Sequence, residues 1–426
     1  MVHRRTRPFC LGLLAFLSAC GMAPPGDVSS STASATTAPA ASGATLVAAA
    51  SAPLPSDAPF TDGEHAFAAV KEGLLKTYGG SKVSEDELYR AATQGMLEHI
   101  DAKRTAWNKL LSPEEVRALS SDLRGEVVGI GAEIHFETAT GYTEVLGVLP
   151  GSPAEAAGLR QGDTILDVDG KLFKGETQKD VLAEIRGKAG ERVTLNVLRD
   201  GKLVTIAVVR QIVSYGVVQD AMLPEGVGYM RIRSFNAKTA PAVTVALAAL
   251  ATGGARSMIV DLRGNPGGGF DDAIATANEL LPAGAGIVTV VKKGVPDETI
   301  VAKTGATKLA TVPMAVLIDG ETASGGEFLT AALHTGRKAD VVGERSFGKW
   351  SLQTIEDLPN GYAAKYTLGV LRTPAGESYD GVGLSPDVEV HLDHAAYIEA
   401  QRTTDWTRRA AVDAPLRTAM HLLRPR

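Results

Sequence analysis

The 426-residue chain contains only two cysteines, Cys10 and Cys20, and both stand within its first twenty residues. If that stretch is removed or modified, the rest of the chain has no free thiol and no disulfide. Thiol catalysis and cysteine-ligated metal sites are then excluded. An excess of positive charge is missing too, since 49 Asp and Glu residues outnumber 43 Lys and Arg residues, the net charge is -6 and we find no basic stripe. This balance argues against a nucleic-acid-binding surface.

A long hydrophobic run is also missing from the N-terminus. The opening MVHRRTRPFCLGLLAFLSAC places three arginines before an apolar stretch that is too short for an ordinary transmembrane span. This pattern predicts a secretory signal peptide over residues 1–20. Its end, LSAC, resembles the lipobox of bacterial lipoproteins, which implies cleavage before Cys20 and lipidation of that residue. The alternative is a plain signal peptide that is cut elsewhere.

Residues 21–60 consist mainly of Ala, Ser, Thr, Pro and Gly, with almost no charge. Such a segment cannot bury a core, so we predict a flexible tether. Lipidated Cys20 would hold the folded part at a membrane on the periplasmic side of a bacterial cell envelope. Gly21, standing where an aspartate could follow the cysteine, favours the outer membrane.

Residues 61–125 have apolar side chains at helical spacing, which predicts an N-terminal helical domain. Ser84 with Glu87 has the spacing of a capping box. Ser112-Pro113 followed by two glutamates indicates another helix start.

Residues 126–211 show short alternating strands that are interrupted by Gly and Asp turns. The segment GSPAEAAGLRQGDTILDVDG resembles the most recognisable part of a PDZ domain. PDZ domains bind the terminal carboxylate of a peptide through the N–H groups of a glycine-rich loop, and the peptide adds to the sheet edge. Gly129, Ile130 and Gly131 stand where that loop belongs. The alternative is an ordinary strand start at which glycine eases a bend.

Residues 212–393 alternate between strand and helix patterns, which predicts an α/β layer architecture. In such folds, catalytic groups tend to lie at strand-to-helix turns. The remaining residues 394–426 are predicted to form a helical tail, which would serve as a packing arm or as a dimer contact.

The segment TASGGEFL follows the apolar run MAVLI and places Ser324 at the start of a predicted helix. A serine nucleophile needs a base within hydrogen-bond reach. The nearest histidine, His334, is ten residues further along the same helix, or roughly 15 Å away. It therefore cannot serve Ser324. The other histidines stand in no motif that looks catalytic, although a Ser-His-Asp triad is not excluded.

A second candidate base is Lys349, in the segment VVGERSFGKWSLQ. At an ordinary pKa of about 10.4, only roughly one lysine in 2,500 is neutral at pH 7. Burial lowers the pKa of a lysine, and Phe347 and Trp350 can contribute to an apolar pocket. The amide of Gln353 could orient the amine without adding charge.

Six segments then follow one another in a recognisable order: GMLEHID, the PDZ stretch, DLRGNPGG, TASGGE, VGERSFGK followed by Gln353, and GVGLSPDVEV. Residues 61–390 thereby resemble the carboxyl-terminal processing peptidases, also called tail-specific proteases. The resemblance implies that Ser324 is the nucleophile, Lys349 the general base and Gln353 the orienting group. It also implies a multidomain α/β protein, with a crotonase-like core, an inserted α+β PDZ domain and an N-terminal helical segment. No metal and no organic cofactor are implied.

An oxyanion needs two donors. The N–H of Gly325 is well placed at the helix start, and the second donor is expected from Gly267 or Gly268, whose bare backbone allows close approach. The alternative for this loop is a flexible turn without a ligand. Asp261 and Arg263 are expected to pair structurally. Glu327 either supports the site or is simply an acid in the first turn of the helix.

The sequence departs from the family's usual pattern in two places. Ser324 is followed by Gly-Gly-Glu, where the family usually has Ala-Ser-Glu or similar. IDAKRTAW stands where the family has a Leu-Asp-Pro-His-Ser-like stretch.

The leading hypothesis is a serine endopeptidase that binds protein substrates by free apolar C-terminal tails. One alternative is a tail-binding scaffold with a silent core. Another is a peptidase that stays inactive until a tail binds. A homo-oligomer remains open.

Overall fold

The computed structural model describes residues 62–100, 107–137, 141–173, 178–213, 216–303, 309 and 311–393, together with those from 396 to 424 other than 398, 401, 402 and 404. The predicted signal peptide, Cys20 and the predicted tether lie outside these described residues. Over the described part of the chain, no helix is both long and apolar enough to cross a membrane. The chain divides into two compact units, one holding the described residues 62–100 and the other holding those from Trp107 onward.

The first unit contains two helices, α1 (Gly63–Thr77) and α2 (Glu85–His99). The N–H of Ser84 donates to the Glu87 carboxylate at 2.8 Å, and the Glu87 N–H donates back to the Ser84 hydroxyl at 3.2 Å. This confirms the predicted capping box.

The second unit begins with β1 (Lys109–Leu111) and α3 (Pro113–Leu123). Ser112 and Glu115 form the cap of α3, as predicted from the sequence. The PDZ region follows with β2 (Val127–Gly129), β3 (Ala132–Glu137), β4 (Tyr142–Val148), α4 (Pro153–Ala156), β5 (Thr164–Val168), β6 (Lys171–Leu172), α5 (Gln178–Ile185), β7 (Arg192–Arg199), β8 (Lys202–Val209) and β9 (Gln211–Val213).

The main PDZ sheet is antiparallel, with the strand order β3-β4-β5-β7-β8, while β6 pairs with β5, and β2 pairs separately with β9. Asp200 and Gly201 both have positive φ between β7 and β8. This is the hairpin turn that the Asp-Gly pair predicts. Buried side chains of both sheet and helices form a core for this region alone, which includes Ile165, Leu195 and Val197.

The remaining elements form the second half of this unit: β10 (Val218–Leu223), β11 (Val227–Ile232), α6 (Thr239–Thr252), β12 (Ser257–Asp261), α7 (Phe270–Leu280), β13 (Gly286–Lys292), β14 (Glu298–Val301), β15 (Met314–Ile318), α8 (Gly325–Arg337), β16 (Asp340–Gly343), β17 (Ser351–Asp357), β18 (Ala363–Arg372), β19 (Val388–Glu389), α9 (Trp406–Val412) and α10 (Ala414–Leu422). A short 3₁₀ turn precedes each of β11 and β18.

A six-stranded sheet organises this half, with the strand order β10-β11-β12-β15-β16-β19. β10 is antiparallel to β11, and every other neighbouring pair is parallel. Strands β11, β12 and β15 are buried along their whole length. Their continuous apolar runs are typical of a parallel sheet that is covered on both faces.

A second, antiparallel sheet runs in the order β1-β18-β13-β14, with β17 also paired to β18. Helices α6, α7 and α8 cover one face of the six-stranded sheet, and their buried side chains pack against those of the sheet. The other face is covered by the C-terminal helices, where Leu416, Ala419 and Leu423 cluster with the sheet residues Ile259 and Leu317. The C-terminal residues therefore pack on the core of their own chain.

We predict that Leu416→Ala destabilises the protein by about 2–5 kcal/mol, because it leaves a cavity under the sheet. The matched control on the same helix is Leu422→Ala, since Leu416 is 0 % exposed and Leu422 is 41 % exposed. The control should change the free energy of unfolding by about 0.5 kcal/mol or less. Urea denaturation measures both, and equal effects would contradict this packing.

Candidate active site

The carboxyl ends of β11, β12 and β15 lie at the same edge of the six-stranded sheet, which is where α/β folds build their sites. Each strand leads into a loop that carries a predicted site residue or contacts one. Phe235 follows β11, the Asn265–Gly269 loop follows β12, and Ser324 follows β15. The topology therefore brings together segments that are far apart in the sequence.

Ser324 immediately precedes α8 and has φ 54° and ψ -114°. This backbone conformation is unfavourable for a residue with a side chain, and strain of this kind costs on the order of 1–3 kcal/mol. The turn is held from both sides. The Ala323 N–H donates to the Asn265 carbonyl at 2.8 Å, and the Ser324 N–H donates to the Glu327 carboxylate at 2.9 Å. The hydroxyl of Ser324 is thus displayed on a sharp strand-to-helix turn.

Glu327 is fully buried and accepts four hydrogen bonds. Besides Ser324, its donors are the Gly348 N–H at 2.8 Å, the Lys349 N–H at 2.8 Å and the Ser346 hydroxyl at 2.6 Å. Burial raises the pKa of the Glu327 carboxyl, and these hydrogen bonds oppose that rise. One carboxylate therefore ties the serine turn to the loop that carries Lys349.

The amine of Lys349 lies over the ring of Trp107, with its Nζ 4.7 Å from the ring centroid. Phe347 packs edge-on against the same tryptophan at a centroid distance of 6.1 Å. Burial, reinforced by the positive charge of Lys365 and opposed by Glu327, lowers the pKa of Lys349 to about 8. About one lysine in ten is then neutral at pH 7, which is far more than in water.

Lys365 is the cation that acts on Lys349. It stands on β18 directly opposite Lys109 of β1, and Lys109 forms an ion pair with Glu115. Among the described residues, no carboxylate lies within ion-pair distance of Lys365. Burial and the charge of Lys109 lower the pKa of Lys365, while Glu115 opposes this effect.

Gln353 lies on β17, and its amide nitrogen donates to the Ser351 hydroxyl at 2.9 Å. Within the described residues, no hydrogen bond joins Gln353 to Lys349, or Lys349 to the Ser324 hydroxyl. The structure thus brings the turns of Ser324 and Lys349 together through Glu327 without a direct bond between the two side chains. Catalytic hydrogen bonds are often formed only when a substrate is bound.

The Asn265–Gly269 loop lies directly against Ser324. A Cβ added at Gly267 would meet the Ser324 Cβ at 2.8 Å, and one at Gly268 would meet the Phe235 carbonyl at 2.0 Å. The buried Gly267 N–H donates to the Asn265 side chain at 2.8 Å. Gly268 is exposed, and Gly325 is the first residue of α8, so its N–H has no carbonyl of that helix to bond. These two N–H groups are the better-placed candidates for a developing oxyanion.

A buried network fixes the start of this loop. Arg263 donates to Asp261 at 2.6 Å and to Asp413 at 2.8 Å, and the Tyr229 hydroxyl donates to Asp261 at 2.7 Å. Burial alone would raise the pKa of Asp261, but Arg263 holds it well below its ordinary value. The predicted Asp261–Arg263 pair is confirmed. Asp413 comes from the C-terminal segment, so that segment also supports the loop.

Several neighbours of these groups could not be recognised from the sequence. Trp107, Lys365 and Asp413 have no motif of their own, and strand pairing or helix packing brings them to the site. Trp350 is adjacent to Lys349 in the sequence, but its ring is buried against Tyr379 instead, at a centroid distance of 5.2 Å. His334 lies near the far end of α8, with its Nδ1 3.0 Å from the Ala339 carbonyl.

A cavity of about 550 Å³ lies between the PDZ region and the core. Strand β3, helix α5 and strand β10 contribute to its walls, and the predicted loop Gly129, Ile130 and Gly131 lines it as well. No group of three or more His, Cys, Asp or Glu side chains in the described part of the chain could hold a metal ion.

Hydrogen bonds fix the orientation of the peptide groups in the Gly129–Gly131 loop. The Ile130 carbonyl accepts from the Ala154 N–H at 2.8 Å, and the Gly131 carbonyl accepts from the Leu149 N–H at 2.9 Å. In a planar trans peptide, the N–H of the next residue points away from the carbonyl. The N–H groups of Gly131 and Ala132 therefore point away from these partners, and both residues line the cavity.

Two family models match this chain. Residues 226–390 match peptidase family S41, and residues 144–199 match the PDZ domain. A crystal structure described as that of an S41 protease from Bacteroides fragilis is similar in fold. It has a TM-score of 0.58 and 17% identity, and the match covers 83% of this chain and 97% of that one. These matches define the class as an S41 peptidase that carries a PDZ domain.

Curated relatives narrow the class further. Carboxy-terminal processing protease CtpA of Bacillus subtilis is 32% identical over 326 residues, which cover 76% of this chain and 68% of that protein. The carboxyl-terminal-processing protease of Picosynechococcus sp. is 32% identical over 335 residues, which cover 78% and 79% of the two chains. The chain therefore belongs to the family of carboxyl-terminal processing proteases, and it is a serine-type peptidase.

We predict that Glu327→Gln lowers kcat by about 100-fold, because an amide offers only one acceptor oxygen to the donors that hold the two turns in place. Glu321→Gln is the matched control. Burial raises the pKa of Glu321 to about 9, so this residue is already uncharged at pH 7 and the substitution changes little. Peptide-cleavage kinetics measure both variants. Equal activity of Glu327→Gln and the unsubstituted enzyme would contradict the assigned role.

Proposed function

We propose that this peptidase is an endopeptidase that cleaves by a Ser-Lys acyl-enzyme mechanism, after binding the C-terminal tail of a protein substrate through its PDZ region. The observation that carries the proposal is the buried Glu327 carboxylate, which bonds to the backbone of both Ser324 and Lys349. The lowered pKa of Lys349 supports a neutral amine that can accept a proton.

In the proposed first step, the Ser324 oxygen attacks the carbonyl carbon of the scissile peptide bond, and the Lys349 amine takes the hydroxyl proton. The resulting oxyanion accepts hydrogen bonds from the N–H groups of Gly325 and Gly268. The amine leaves with the proton from Lys349, and an ester to Ser324 remains. Water then attacks this ester, again with Lys349 as the base, and the serine is released. Gln353 would turn its amide toward Lys349 to orient it during these steps.

The proposed tail site is the cavity beside β3. This strand ends the PDZ sheet order, so its outer edge can accept an extended peptide as a further strand. The N–H groups of Gly131 and Ala132 can bind a carboxylate. The apolar side chains of Ile130, Leu182 and Ile185 around the cavity suit an apolar last residue.

A second candidate is a peptidase that becomes active only when a tail binds. Two observations favour it. Ser324 and Lys349 share no direct hydrogen bond among the described residues, and the core strand β10 forms part of the cavity wall. A tail peptide added separately would then accelerate the cleavage of a substrate that lacks its own tail. A scaffold with a silent core is the less favoured interpretation, because Ser324, Lys349 and Glu327 are all present and connected.

The proposed mechanism predicts that Ser324→Ala and Lys349→Ala each abolish cleavage of an unstructured protein with an apolar C-terminal tail. Loss of a nucleophile or its base typically lowers kcat by about 10⁴- to 10⁶-fold. Gel analysis of the full chain, with the same substrate carrying a charged tail in parallel, measures both cleavage and tail preference. Residual cleavage by Lys349→Ala near the unsubstituted rate would refute the lysine as base.

The pKa of Lys349 predicts the pH profile of kcat/KM. Because the neutral amine is the active form, activity should rise about tenfold between pH 7 and pH 9, with a midpoint near 8. Lys365→Met removes a neighbouring positive charge, which raises the pKa of Lys349 and shifts the rise to higher pH. Lys365→Arg keeps the charge and should leave the midpoint close to 8. A midpoint that stays unmoved in Lys365→Met would refute the coupling between the two lysines.

A further inference from the structure

Arg186 directly follows helix α5 and lines the same cavity as the Gly129–Gly131 loop. It is half-buried. Among the described residues, its guanidinium forms no hydrogen bond and no ion pair within 4 Å. A half-buried guanidinium that has no partner in an otherwise largely apolar cavity indicates an anionic ligand.

Among the described residues, the other charged groups near Arg186 form no ion pair with it. Glu133 is engaged by Arg233 at 3.0 Å, and Asp220 is exposed on β10. Asp122 interacts electrostatically with Arg186, but among the described residues its carboxylate lies beyond ion-pair distance of the guanidinium. Within the described lining of the cavity, Arg186 is therefore the cationic group that is available to a ligand.

We propose that Arg186 binds the terminal carboxylate of the substrate tail, together with the N–H groups of Gly131 and Ala132. This inference rests on the proposed function, and it names the residue that makes the site selective for a free C-terminus. The ligand class is a polypeptide that ends in an apolar residue with an ionised α-carboxylate. An internal loop or an amidated end lacks the charge that Arg186 binds.

The chemistry of the three donors supports this assignment. A guanidinium can donate two parallel N–H groups to a carboxylate, and such charge-assisted hydrogen bonds are about twice as strong as neutral ones. The loop amides alone can bind a carbonyl oxygen as well as a carboxylate oxygen. Arg186 therefore accounts for discrimination between a tail with a free carboxylate and an amidated tail, rather than for tail binding as such.

The test uses the full chain with Ser324→Ala, so that bound peptides are not cut. Fluorescence anisotropy would measure the Kd of one fluorescent apolar-tailed peptide in two forms, with a free C-terminal carboxylate and with a C-terminal amide. Three further substitutions are compared on this background: Arg186→Gln, Arg186→Lys and Arg192→Gln. Arg192 is an exposed arginine of the same PDZ region, so its substitution controls for the loss of one positive charge.

Without a substitution at Arg186, the acid form should bind about 10- to 100-fold more tightly than the amide form. Arg186→Gln should bring the two forms to nearly equal affinity and leave binding of the amide unchanged. Arg186→Lys should retain part of the preference, and Arg192→Gln all of it. Unchanged amide binding also shows that the groove is still folded.

A full preference for the acid form in Arg186→Gln would overturn the assignment of Arg186 and leave the proposed function intact. Equal binding of both forms without any Arg186 substitution would overturn it as well. If neither form binds, and the active enzyme also fails to cleave the tailed protein, the proposed function itself fails.

Discussion

A carboxylate can be buried only if hydrogen-bond donors surround it, and the site of this protein is arranged around that constraint. Glu327 has four donors, three of which are backbone N–H groups. These N–H groups belong to Ser324, Gly348 and Lys349. The hydrogen bonds that the buried Glu327 carboxylate needs therefore fix the relative position of two loops. Because the bonds are made to the backbone, the side chains of Ser324 and Lys349 stay available for chemistry.

Burial, which Glu327 tolerates through its hydrogen bonds, also lowers the pKa of Lys349. An amine that is covered by Trp107 and lies near Lys365 loses stability as an ammonium ion, and no carboxylate among the described residues pairs with its Nζ. A carboxylate bound to the amine itself would raise the pKa of Lys349 and keep the amine protonated, so that it could not accept a proton. Glu327 contacts the N–H of Lys349 rather than its amine, so it orders the loop without forming that ion pair.

Local sequence patterns predict much of this architecture. The apolar runs of β11, β12 and β15, the Ser84 and Ser112 caps and the Asp200-Gly201 turn follow from the residues themselves. The positions of the Asn265–Gly269 loop and Ser324 follow from the expectation that strand-to-helix turns carry the site. These features depend on interactions between residues that are close together in the sequence, so a single sequence is enough to predict them.

Contacts made by distant segments are harder to predict. Trp107 reaches Lys349 because β1 joins the sheet of β18, and Asp413 reaches Arg263 across 150 residues because α10 packs on the six-stranded sheet. Neither residue stands in a periodic or motif-like pattern. The sequence also did not predict that the Gly267 N–H donates a hydrogen bond to the Asn265 side chain. This hydrogen bond narrows the candidate oxyanion donors to Gly268 and Gly325.

Burial lowers the pKa of Lys349 far enough for about a tenth of the amine to be neutral at pH 7, and the proposed role as a base depends on this shift. The most direct measurement is an NMR titration of protein with ¹³C-labelled lysine, with the Lys349 signal assigned by its loss in Lys349→Arg. We expect this signal to titrate near pH 8, well below the ordinary lysine pKa of about 10.4. Titration of the Lys349 signal near the ordinary lysine value of about 10.4 would contradict the lowered pKa.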